Sequence, residues 1–166
     1  MDNVNRVRVG QLVPDFALKD SEGREVRLSD FQGRKSVLLF FCAGKKSAPC
    51  LDWWQELNLL YDEIEGEDIE ILALSQDERR TSRQLKKERQ IRFPILKIEA
   101  EWETFPNTPP VSQRYSVEVD RGEGKGVYPA LFLVDKMGIV RYRKVYAHAA
   151  DGLDTEQLLC ELNKWM

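Results

Sequence analysis

The feature that most constrains the fold is an alternation of periods in the first half of the chain. Ser36 to Phe41 is a run of apolar, β-branched and aromatic residues, and Ile69 to Leu74 is a second. Between them, from about Ser47 to Ile64, Trp54, Leu57, Tyr61 and Ile64 recur at the spacing of one helical face. Runs that are apolar throughout fit strands covered on both faces, so the pattern predicts a βαβ unit in a parallel sheet with Ser36 to Phe41 as its central strand. A polar helix held mainly by Leu85 follows from Asp77 to Gln90.

The flanking segments add to this core. Phe16-Ala17-Leu18 and Glu25-Val26-Arg27-Leu28 surround an Asp/Ser/Gly turn cluster and predict an N-terminal β-hairpin, with a helical turn at Ser29-Asp30-Phe31. Phe93 to Leu96 reads as a short strand in which Pro94, unable to donate to a ladder, favours a strand start or an edge. Val111 to Val117 reads as a short helix, Ala130 to Val134 with Ile139 to Tyr146 as a hairpin, and Asp154 to Met166 as a last helix. The expected class is α/β. At 166 residues and 19.3 kDa, with no repeat or linker, the chain is expected to form one domain, 1–166. Loops 99–110 and 120–126, rich in proline and glycine, are where partner contacts are expected.

Composition removes several functions. With 25 Lys plus Arg against 28 Asp plus Glu, the net charge of -3 gives no electrostatic case for nucleic acid. The longest apolar stretch, Val37 to Ala43, is far short of the roughly 20 residues that cross a bilayer. Neither a membrane span nor a signal peptide is expected. Three cysteines, Cys42, Cys50 and Cys160, do not make a disulfide framework, so the expected compartment is the reducing cytoplasm. With His148 they lack any metal-ligand spacing, and neither a metal nor another cofactor is expected.

Ser47-Ala48-Pro49-Cys50 lies between the central strand and the first long helix, at the carboxyl end of a parallel strand, where open α/β folds place their sites. Ser47 is a good N-cap and Pro49 is tolerated in the first turn. Unpaired amides and the helix dipole favour a thiolate at Cys50, and Lys45 and Lys46 add positive charge. The competing reading is a small apolar residue buried under the first turn. Cys42, at the end of the central strand, reads as a buried structural thiol. In the last helix Leu158, Leu159, Leu162 and Trp165 share a face that Cys160 avoids, so Cys160 is expected to be exposed. It is a candidate resolving partner for Cys50. His148 has no local pattern tying it to Cys50. The basic run Arg79-Arg80, Arg83, Lys86-Lys87 and Arg89 reads as a solvated helix face, and Trp53 and Trp54 as packing beside Cys50.

The segments from Val9 to Leu18, Asp20 to Phe31 and Ser36 to Phe41, with Tyr128 to Gly138 later, resemble the thioredoxin-fold branch that includes the AhpC/TSA peroxiredoxins and the TlpA-like thiol oxidoreductases. The peroxiredoxin motif is Pro-x-x-x-Thr/Ser-x-x-Cys. Ser47 and Cys50 match its last two fixed positions, while Ala43 stands in place of the proline and Pro129 where the family's arginine is expected. The resemblance implies a thioredoxin-like three-layer sandwich, with a central mixed sheet flanked by helices, and a peroxide-reducing enzyme in which Cys50 attacks the peroxide, Ser47 helps hold it, and Cys160 or Cys42 resolves the sulfenic acid. An external thiol reductant such as a thioredoxin-like protein would then regenerate it. A homodimer is within the same expectation.

The TlpA-like resemblance rests on Pro129, which matches the cis-proline facing the Cys-x-x-Cys motif of those enzymes and would position substrate. Ser47 stands where the first cysteine of that pair would be. It implies a thiol-disulfide oxidoreductase with altered chemistry. A third reading, motivated by Ala43, Ser47 and Pro129, is a redox-inactive module that binds partners through the two loops.

Overall fold

The computed structural model describes residues 7–45, 47–98, 111–115, 117–120, 125–146 and 154–164. Loop 99–110, residues 121–124 of the second loop, Lys46, His148 and Trp165 lie outside them.

β3 (Ser36–Cys42) is the middle strand of a five-stranded sheet. It pairs in parallel with β4 (Ile69–Ser75), which pairs in parallel with β5 (Ile95–Lys97) at the edge. On its other side it runs antiparallel to β8 (Ala130–Val134), and β9 (Val140–Val145) closes that edge. The sheet is therefore mixed, in the order β5-β4-β3-β8-β9. The N-terminal hairpin is β1 (Ala17–Lys19) with β2 (Glu25–Arg27), followed by a 3-10 turn at Leu28–Phe31.

The period-two alternation of β3 builds two cores. Leu38, Phe40 and Cys42 face one side, with Ile71, Ala73, Leu131 and Leu133, and are covered by α1 (Ala48–Leu59), α2 (Tyr61–Glu65), α3 (Arg79–Glu88) and α5 (Thr155–Asn163). Val37, Leu39 and Phe41 face the other side, with Phe16 and Leu18 of the hairpin and Val111 of α4 (Val111–Arg114). Tyr115 joins that second core, with its ring centroid 5.3 Å from those of Phe41 and Phe132.

Three elements depart from expectation. The helix read as continuous from Ser47 to Ile64 breaks at Leu60, whose amide donates to Leu57 O at 3.1 Å. Asn58, two residues before the break, is engaged from outside the helix: its amide donates to Gln90 O and its Oδ1 accepts from Arg92 N. The polar helix starts at Arg79 and ends at Glu88, because Asp77 is held by a loop and Gln90 takes φ of 55°. The helix expected to reach Val117 stops at Arg114, since Val117 N turns back to Ser112 O and its carbonyl accepts from Tyr128 N. Beyond it, β6 (Glu118–Asp120) pairs with β7 (Lys125–Val127), so part of the glycine-containing loop is strand.

Candidate functional site

The parallel strands β3, β4 and β5 end together at Cys42, Ser75 and Lys97, and this carboxyl edge carries the site. Cys42 continues the face of Leu38 and Phe40, toward the layer that contains α1. Cys50 lies in the first turn of α1 on its buried face, with Leu51, Trp53, Trp54 and Leu57. The two periods thus aim Cys42 and Cys50 at each other. Their sulfurs are joined as a disulfide with Cα atoms 6.1 Å apart, inside the ordinary range for such bonds. Cys42 is therefore not an isolated strand-end thiol. Both are buried, at 0% and 1% exposure.

Ser47 caps α1, its Oγ accepting from the Cys50 amide at 3.3 Å. The turn before it is closed by Ser47 N donating to Gly44 O at 2.9 Å. That turn is tied to the neighbouring strand end. Asp77 Oδ2 accepts from the Lys45 amide at 2.7 Å, and the Asp77 amide donates to Ser75 Oγ at 3.0 Å. Gly44 has φ of +96°, and a Cβ there would lie 2.3 Å from Asp77 Oδ2 and 2.5 Å from Ser75 Oγ. Only glycine fits that approach.

Along the same edge, the Lys97 ammonium bonds Glu78 at 2.8 Å and holds its carboxyl below the usual carboxylate range, first by that hydrogen bond and then by its charge. Beneath Cys50, Trp53 stacks on Phe40 at 5.3 Å and meets Tyr146 edge-on at 4.7 Å. The tryptophans are packing, as expected.

Pro129 immediately precedes β8, whose first residue Ala130 registers with Phe41, so it lies beside the end of β3. Its peptide bond is trans, unlike the cis-proline it matches by position. The backbone on both sides of that bond is held by sheet-like pairing: Tyr128 N donates to Val117 O, and Pro129 O accepts from Tyr146 N. Cys160 is exposed on α5 with a free thiol and takes no part in the disulfide. Among the described residues no group of three or more His, Cys, Asp and Glu is arranged to hold a metal ion. None of their helices is long and apolar enough to cross a membrane.

Ser75 and Asp77 are the residues that sequence reasoning missed. Their signal was a Ser-x-Asp turn directly after a buried parallel strand, at the edge where sites form.

A mixed sheet with a cysteine in the first turn of α1, and that cysteine bonded to a second at the central strand's end, defines a thioredoxin-fold thiol protein. The AhpC/TSA family pattern matches residues 9–143, and the chain belongs to that family. It is 34% identical over 135 residues to a thiol-disulfide oxidoreductase ResA of Geobacillus thermodenitrificans, covering 81% of this chain and 68% of that protein. It is 27% identical over 139 residues to a chloroplastic peroxiredoxin Q of Oryza sativa subsp. japonica, covering 82% of this chain and 58% of that one. In fold it is similar to the peroxidoxin BcpB of Mycobacterium tuberculosis, with TM-score 0.80, 21% identity, and 97% and 99% of the two chains covered.

Proposed function

We propose that the chain is a thiol peroxidase working through the Cys42–Cys50 couple, with Cys50 as the attacking sulfur and Cys42 as the resolving one. The observation that carries this is the bond between a cysteine in a helix's first turn and a cysteine on the adjoining strand. In the reduced protein the amides at the start of α1 and the helix dipole favour the Cys50 thiolate. Its sulfur attacks the terminal oxygen of a peroxide, the O–O bond breaks, and the leaving alkoxide takes a proton to become alcohol or water. The Cys42 thiol then displaces hydroxide from the sulfenic acid, forming the disulfide and water. A dithiol donor, such as a thioredoxin-like protein, returns both sulfurs to thiols and becomes oxidised itself. The cytoplasm, where such donors are kept reduced, is the compartment we assign.

The stoichiometry tests this. Reduced protein given one equivalent of hydrogen peroxide loses two of its three thiols, and mass spectrometry finds Cys42 joined to Cys50 with Cys160 still free. Cys42→Ser halts at the sulfenic acid, and Cys160→Ser behaves as wild type. If Cys50→Ser consumes peroxide at the wild-type rate with dithiothreitol, the proposal fails.

A second reading is supported by the 34% identity to a protein named as a thiol-disulfide oxidoreductase. Here the oxidant of the same pair is another protein's disulfide rather than a peroxide. Reduced protein that ignores hydrogen peroxide but passes electrons to a protein disulfide, with a mixed disulfide trapped at one of the pair, selects it.

A further inference from the structure

We infer that Asp77 is a positioning residue that sets the redox equilibrium of the Cys42–Cys50 pair by clamping the loop between them. The inference rests on the reading above only in taking that pair to cycle between dithiol and disulfide.

The sulfurs are eight positions apart, and the backbone between them has to fold back from the end of β3 into the first turn of α1. Three contacts fix that path. The Lys45 amide donates to Asp77 Oδ2, the Asp77 amide donates to buried Ser75 Oγ, and Gly44, at φ of +96°, lets the backbone come within touching distance of both side chains. Ser75 itself registers with Cys42 across the parallel ladder. The carboxylate therefore ties the connecting loop to the neighbouring strand at the level of the first cysteine. Ser47, one hydrogen bond further along, carries that placement to the Cys50 amide.

Closing a ring costs the conformational freedom of the segment being closed, and a segment already held in the closing conformation has less to lose. The amide-carboxylate bond is charge-assisted, which makes it one of the stronger local restraints available. Held by Asp77, the reduced loop keeps Cys50 near Cys42, so the disulfide forms readily and resists reduction. Without Asp77, the reduced loop spreads over more conformations, and the equilibrium moves toward the dithiol.

The test is redox equilibration of the full chain in a Cys160→Ser background, across dithiothreitol or glutathione buffers, with the disulfide fraction read by alkylation and mass shift. Asp77→Ala is expected to lower the equilibrium constant for disulfide formation about tenfold, which for this two-electron couple is a potential about 30 mV less negative. Asp77→Asn keeps an oxygen that can accept from the Lys45 amide and should fall between wild type and Asp77→Ala. Ser75→Ala, which loosens the carboxylate's anchor, should shift the same way by a smaller factor, and it carries the test if Asp77→Ala does not fold. Urea unfolding of the reduced forms separates a loop effect from general destabilisation, since loss of fold lowers the midpoint without requiring any change in potential. An Asp77→Ala or Ser75→Ala protein within twofold of the wild-type equilibrium constant overturns the inference while leaving the proposed function standing. A wild-type pair that stays reduced at every buffer poise sinks both.

Discussion

The bond between Cys42 and Cys50 makes a quantitative claim on stability. It closes a ring of residues 42 to 50, so the unfolded chain loses the conformations in which those ends are apart. The loop-entropy relation for a ring of this size makes the unfolding free energy of the oxidised protein about 2.5 kcal/mol larger than that of the reduced protein at 25 °C. Both sulfurs are buried in the bonded structure, at the level of the surrounding core. For a chain of this length in urea, with a slope of about 2 kcal/mol per molar, the unfolding midpoint should fall by about 1 M on reduction.

The same number constrains the chemistry, because folding and disulfide formation are linked. If the bond stabilises the fold by about 2.5 kcal/mol, the fold favours the bond by the same amount, a factor of about 70 over an unstructured pair. The assay is parallel urea denaturation of oxidised and reduced Cys160→Ser protein, followed by tryptophan fluorescence, with the disulfide fraction measured independently. A reduced protein as stable as the oxidised one would falsify the reasoning, since native-state strain would then cancel the ring entropy.

Three further outcomes follow from the same geometry. Gly44→Ala forces a side chain onto φ of +96° and against Asp77, combining about 1–2 kcal/mol of left-handed strain with the loss of the Asp77 hydrogen bond. The folded state should lose about 3 kcal/mol in urea unfolding, and a loss below about 1 kcal/mol would mean the loop yields without resistance. Ser47→Ala removes the α1 cap and should cost about 1 kcal/mol by the same measurement, with no change marking the Ser47–Cys50 bond as idle. Tyr146 is pushed up to about 12, first by burial and then by the charges of Tyr142 and Asp154. Its unfolded form ionises near 10, so this contribution to stability is complete below that pH and is lost as the pH rises through about 12. Tyr146→Phe, which cannot ionise, should flatten that part of the alkaline unfolding curve, and an unchanged curve would locate the loss elsewhere.

The βαβ centre was legible because burial on both faces leaves long apolar runs that nothing else explains, and β3, α1 and β4 fall where those runs and the helical period put them. The break at Leu60 was not legible, because Asn58 is engaged by Gln90 and Arg92 from a distant loop, and no window along the helix contains them. The disulfide lies between these cases. Cys42 shares the phase of Leu38 and Phe40, and Cys50 shares the buried face of Trp54 and Leu57, so both periods already directed each thiol toward the other's layer. Reading each cysteine by its own surroundings made Cys42 structural, and the resemblance alone offered it, beside Cys160, as a resolving partner for Cys50. Combining strand phase with helix phase across a short connection gives the pair. Asp77 carried only the weak signal of a Ser-x-Asp turn at a strand end: one carboxylate after a strand matters here because the loop it binds is the one that joins the two sulfurs. A residue's role in a site built across strand ends therefore depends on which backbone amide it captures, and the parallel register of Cys42 with Ser75 brings Asp77 to that amide.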